Sequence, residues 1–86
     1  MNCVTVRMMR KVATVQYWDA VGDLMAREGV GQRQAEHLLI VRALTEAARN
    51  GTTARQAIPR LQARWGLSQA MYYRRLARAR QTICLP

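Results

Sequence analysis

Residues 61–76 read Leu-Gln-Ala-Arg-Trp-Gly-Leu-Ser-Gln-Ala-Met-Tyr-Tyr-Arg-Arg-Leu. A helical run closes at Trp65, Gly66 stops it, Leu67 follows, Ser68 stands at the head of a second run, and that run is dense in Tyr and Arg. Glycine takes a positive φ without a Cβ penalty, which suits it to the residue after a helix. A serine hydroxyl accepts from the free N–H groups that open the next helix. Leu67 is expected to plug the angle where the two helices cross. The spacing therefore predicts two helices joined by a tight turn, a helix-turn-helix. Along the second helix, predicted over 69–82, Tyr72, Leu76 and Ala79 fall on an inward face and Gln69, Ala70, Tyr73, Arg74 and Arg78 on an outward one. An apolar back with an Arg-rich front suits the major groove of a duplex.

Upstream, Thr52 and Thr53 are candidate caps for a helix over 54–65. Pro59 interrupts its pattern, so either the helix kinks there or a single turn precedes a shorter helix that starts at the proline. Both readings put Leu61 and Trp65 on the core side. A helix over 32–49, ending at Asn50-Gly51, is apolar on most of its faces from Leu38 to Leu44, the mark of a bundle's buried centre. Before it, Thr14 caps a helix that Gly29 ends, with Trp18, Val21, Leu24 and Met25 at helical spacing. Trp18 is expected in the core, and Gly22 to allow close packing. Residues 1–13 look like a flexible basic arm, and Ile83, Cys84, Leu85 and Pro86 like a short apolar tail. The expected fold class is all-α: a small bundle of four to five helices, with 14–51 as support and dimerisation region and 52–86 as the helix-turn-helix region.

Fourteen Lys and Arg face five Asp and Glu in 86 residues, a formal net charge of +9. All five acids (Asp19, Asp23, Glu28, Glu36 and Glu46) precede residue 50, and the seven basic residues from Gly51 onward are all arginine. A one-signed field attracts polyanions, and an arginine fork bonds phosphate or guanine through two N–H groups at once. Cys3 and Cys84 lack metal-ligand spacing and are read as reduced thiols. His37, the single histidine, has no Cys, carboxylate or second His at ligand spacing and is read as structural. Gly-rich phosphate loops, carboxylate pairs and Cys/His clusters are absent from the sequence, so the expectation is a binding protein: not an enzyme, with no catalytic residue, metal, cofactor or small-molecule ligand. No secretory leader or membrane span is read from it.

On this reading Gln69, Ala70, Tyr73, Arg74 and Arg78 are the base-contacting residues. Arg55, Arg60, Arg64, Ser68, Arg75 and Arg80 hold phosphates. A solvated helix face is the alternative reading of the arginines; the turn signature and the unbroken sign favour the duplex.

The segment Gly66-Leu67-Ser68-Gln69-Ala70-Met71-Tyr72-Tyr73-Arg74-Arg75-Leu76 resembles the turn and recognition helix of bacterial helix-turn-helix proteins, among them those of recombinases, transposases and small repressors. The resemblance covers 61–76 closely and 53–80 in outline. One departure stands out: such motifs usually carry a small residue four positions before the turn glycine, and here Gln62 holds that place, with Ala63 after it. Either the register shifts by one or the helices cross more loosely. In size, basicity and the C-terminal position of the motif, the chain also resembles the Kor-type repressors of conjugative plasmids. That resemblance implies a cytoplasmic, nucleoid-associated homodimer that represses transcription from an inverted-repeat operator in double-stranded DNA. The alternatives are a DNA-binding accessory of a recombinase, transposase or relaxosome, an RNA-binding or non-specific architectural protein, and a protein-interaction module whose basic face meets an acidic partner.

Overall fold

The computed structural model describes residues 13–84, with side chains as far as Arg80. Four α-helices follow one another: α1 Val15–Glu28, α2 Gln32–Arg49, α3 Ala54–Trp65 and α4 Gln69–Cys84. Among the described residues there is no strand. Residues 1–12 of the expected arm, the tail beyond Cys84, and the side chains of both cysteines lie outside what is described; Ala13, the arm's last residue, is half-buried against the core.

The boundaries follow from caps and stops. Thr14 Oγ1 accepts from the Tyr17 N–H at 3.2 Å and opens α1. Gly29 closes it in the left-handed conformation (φ 66°), its N–H donating to the Met25 carbonyl at 2.8 Å. α3 opens on a reciprocal box: the Gln56 N–H donates to Thr53 Oγ1 and the Thr53 N–H to Gln56 Oε1. Pro59 neither splits nor ends this helix, which is uninterrupted to Trp65. The proline is exposed, so the Arg55 carbonyl that loses its N–H partner lies on the solvent side of the helix. α4 is longer than expected, running through Cys84.

One core joins all four helices. Tyr17, Val21 and Leu24 of α1 meet Ala35, Ile40 and Leu44 of α2, Ala57, Ile58 and Trp65 of α3, and Tyr72 of α4. α2 touches each of the other three helices, as its apolar composition predicts. Ile40 and Ile58 are 0 % exposed, and burying such a side chain is worth about 1.5–3 kcal/mol. An exposed ion pair contributes about 0–1 kcal/mol, so packing, not charge pairing, holds the bundle. The supporting and C-terminal regions are thus one hydrophobic unit.

Two expectations in α1 are corrected. Trp18 is not a core residue: it is 43 % exposed, and Tyr17 is the buried aromatic at 1 %. The buried stripe is 17, 21 and 24 (spacings of four and three), which turns Trp18 to the rim, where its ring meets the Tyr17 edge at 5.0 Å. Within the chain Gly22 serves no close packing; it is exposed, with open space where a Cβ would stand.

Candidate nucleic-acid interface

α4 follows α3 after three residues, 66–68, and hydrogen bonds from two other places fix that connection. The Gly66 N–H donates to the Gln62 carbonyl at 2.8 Å. Gly66 has φ 94° and ψ −55°, a positive φ as expected but outside the left-handed helical region, and strained for any residue with a Cβ. Gln62 Nε2 donates across the turn to the Leu67 carbonyl at 3.1 Å. This accounts for a long polar residue where a small one is usual: Gln62 ties down the connection. From α1, the Thr14 N–H donates to the Trp65 carbonyl at 2.8 Å and Thr14 Oγ1 to the Arg64 carbonyl at 2.7 Å. Carbonyls at a helix end have no partner inside their own helix; here the start of α1 supplies two donors. The Thr14 hydroxyl thus joins the head of α1 to the tail of α3, fifty residues on.

Tyr72 (0 % exposed) and Ala79 (9 %) anchor α4 in the core, with Leu76 packed beside them. The opposite face presents Gln69, Ala70, Tyr73, Arg74, Arg78 and Arg80, all exposed. Ala77, exposed near the middle of that face, was missed; the helical period alone would have found it. The five residues read as base-contacting therefore share one solvent-facing arc, with Arg78 at its edge.

The residues read as phosphate-holding are more scattered. Arg60 and Arg64, one turn apart on α3, line an open groove of about 420 Å³ against Ala43, Glu46 and Ala47 of α2. Arg55 is exposed on the opposite flank of α3 from that pair. Ser68 is half-buried, and its carbonyl accepts from the Met71 N–H at 3.0 Å. Arg80 lies on the outward arc and not on a flank. Arg75 departs furthest from expectation: it is half-buried on the inward flank of α4, its Nε buried without a partner. Two residues beyond the outward Tyr73 and one before the core Leu76, it cannot point outward with the others.

On α1 and α2 three of the four arginines are paired, Arg33 being the exception. Arg27 pairs with Asp23 at 3.0 Å, Arg49 with Glu46 at 3.6 Å, and Arg42 takes both carboxylate oxygens of Glu28. That contact holds the Glu28 carboxyl below its ordinary range and raises the Arg42 guanidinium. Glu36 Oε1 accepts the Tyr17 hydroxyl at 2.7 Å; burial first, and then this bond to a carboxylate, push the Tyr17 hydroxyl well above the ordinary range. Burial pushes the Tyr72 hydroxyl up to about 12, and its oxygen has no hydrogen-bond partner. Half-burial, and next the nearby Arg75 and Arg78, hold His37 below the ordinary histidine range. By contrast, among the described residues no carboxylate pairs with Arg55, Arg60, Arg64, Arg74 or Arg80.

Among the described residues no group of His, Cys, Asp and Glu could hold a metal ion. No described helix is long and apolar enough to cross a membrane. No family model, curated protein or solved structure matches the chain.

Proposed function

We propose that the chain binds double-stranded DNA in a sequence-specific way, laying the outward arc of α4 in the major groove as the second helix of a helix-turn-helix. The observation that carries this reading is the arc itself: Gln69, Ala70, Tyr73 and Arg74 stand exposed on one side of a helix whose other side is locked into the core. Gln69 pairs with adenine, Arg74 with guanine, and Ala70 packs on a thymine methyl. Arg78, at the edge, turns toward the phosphates. Arg60, Arg64 and Arg80, with Arg55 and Ser68, hold the backbone. The field around α3 and α4 speeds encounter with a polyanion.

In this reading the protein is a homodimeric repressor. A two-fold pair would set two α4 helices one duplex turn apart on an inverted repeat. Val15 and Trp18, 75 % and 43 % exposed on α1, supply apolar surface for the contact between subunits. Occupying a promoter needs no further machinery. Selection of bound duplexes from a random pool tests the whole proposal. The expected winners share a two-fold symmetric site, bound at least about a thousandfold tighter than random duplex. Winners without a common sequence would leave only non-specific binding.

A further inference from the structure

The head of α1 and the tail of α3 are tied at one point, and the chain that leads into that point is basic. Thr14 gives its N–H to the Trp65 carbonyl at 2.8 Å and its hydroxyl to the Arg64 carbonyl at 2.7 Å. Ala13, one residue earlier, is half-buried against the core. Residues 1–12 therefore join the folded chain beside the last turn of α3, and only residues 66–68 separate that turn from α4.

Those twelve residues carry Arg7, Arg10 and Lys11 and no acid. An anchored chain limits how far its next residues can stray, to about 3.6 Å per residue when fully extended. Lys11 is two residues from Ala13 and Arg10 is three, so their backbones stay within about 7 Å and about 11 Å of it. Arg7 stays within about 22 Å. The point of anchorage adjoins cations of the folded part. Arg64, whose carbonyl takes the Thr14 hydroxyl, is exposed, and so is Arg60 one turn before it. Neither meets a carboxylate among the described residues. Glu46, across the groove from both, is paired with Arg49. Like charges tethered this closely repel one another, and a row of phosphates reverses the balance for all of them where a single small anion answers one or two.

We propose that residues 1–12 act as a second contact with the duplex, in which Arg7, Arg10 and Lys11 hold phosphates next to those held by Arg60 and Arg64. The proposal rests on the reading of α3 and α4 as the DNA-binding unit, and adds to it a contact from the other end of the chain. Thr14 is the residue that sets where this contact falls.

The test measures affinity of the full chain for a labelled mixed-sequence duplex between about 50 mM and about 200 mM salt. Each phosphate contact contributes about 0.9 to the slope of log affinity against log salt. Arg7→Ala, Arg10→Ala and Lys11→Ala combined should lower that slope by about 2–3, so that over this range the natural chain loses about fifteenfold to fortyfold more affinity than the variant. A second variant carries ten Gly and Ser residues inserted between Lys11 and Val12. It keeps every charge and lengthens the tether, which lowers the local concentration of the cations at the duplex, and affinity should fall severalfold. It replaces no residue, so it stands even where the charge variant folds poorly. A slope lowered by less than about 1 in the charge variant, or an unchanged affinity in the spacer variant, overturns the contact from residues 1–12 and leaves the reading of α4 intact. No binding of the natural chain to duplex, even at low salt, overturns that reading and the second contact with it.

Discussion

In α1 and α2, Arg27, Arg42 and Arg49 each meet a carboxylate and only Arg33 meets none; in α3 and α4, Arg55, Arg60, Arg64, Arg74 and Arg80 meet none among the described residues. The difference is not one of stability. Exposed pairs contribute about 0–1 kcal/mol each, and those of α1 and α2 are largely solvent-exposed. What they change is the field. The first two helices cancel most of their own charge, whereas five arginines of the last two keep theirs, so attraction for a polyanion is concentrated on one part of a molecule whose core is shared by all of it. A charge asymmetry laid over a single hydrophobic unit means that stability and binding should respond to different residues.

Trp65→Ala should have the largest effect. Trp65 is 6 % exposed at the end of α3, its ring 6.0 Å from that of Tyr17 in α1. Emptying such a site costs about 3–5 kcal/mol. Trp18 is then the only tryptophan left, and it reports on α1. If the halves share a core, urea should unfold the variant in one transition, with Trp18 fluorescence and helical circular dichroism changing together. A Trp18 transition at an unchanged midpoint, apart from an earlier loss of helix, would break the comparison into two independently folding parts.

On the binding side, Arg74→Ala should cost about 1–3 kcal/mol on the best site and relax preference at one base pair. Arg60→Ala should weaken all duplexes alike and reduce the salt slope by about 1. Neither should move the urea midpoint much, both side chains being exposed. Site preference unchanged in Arg74→Ala would mean that the outward arc of α4 is not what reads the bases.

The helices are legible in the chain where an end carries a local chemical signal: Thr14, Gly29, Thr53 and Gly66 act through neighbours within about one turn, while α2 opens at Gly31 with no side-chain cap. The outward arc of α4 is legible for a similar reason, since Tyr72, Leu76 and Ala79 fix the inward side by period alone. Features that depend on distant partners are not. Tyr17 and Trp18 are adjacent aromatics, and either 17-21-24 or 18-21-25 makes an acceptable apolar stripe; only the position of Trp65 and Glu36 favours Tyr17. Period alone sets Arg75 inward of Arg74, but that its Nε is buried without a partner emerges only when the helices pack. Gln62 looks like a flaw in a motif until its amide is seen to reach the Leu67 carbonyl. The second role of Thr14, toward carbonyls fifty residues away, leaves no trace in local spacing.

Thr14 gives a finer test of how the two halves are joined. Thr14→Val removes the cap on the Tyr17 N–H and the bond to the Arg64 carbonyl in one step, for an expected loss of about 1–2 kcal/mol. Thr53→Ala removes a cap internal to α3 and should cost about 1 kcal/mol. Thermal melting of both variants separates the contributions. A larger loss for Thr14→Val, with weaker duplex binding in that variant only, is expected if the bond across to α3 also orients the turn before α4. Equal losses and equal binding would reduce Thr14 to an ordinary cap.

The smallest effect, and the only gain, belongs to Gly22→Ala. Gly22 lies inside α1 with a helical backbone and open space where the methyl would go. Alanine is favoured over glycine there by about 0.5–1 kcal/mol, largely because it restricts the unfolded chain. Gly22 also follows Val15 and Trp18 by four to seven residues, on the side of α1 proposed to meet a second subunit. A methyl that is free in the monomer would obstruct a close helix-to-helix approach at that point. Melting curves over a range of protein concentrations separate the two situations, because dimer stability depends on concentration and monomer stability does not. A gain at every concentration is expected if subunits meet through Val15 and Trp18 without drawing the backbones together at Gly22. A gain in dilute samples that turns into a loss in concentrated ones would place Gly22 within the contact, where the missing side chain lets the two α1 helices come close.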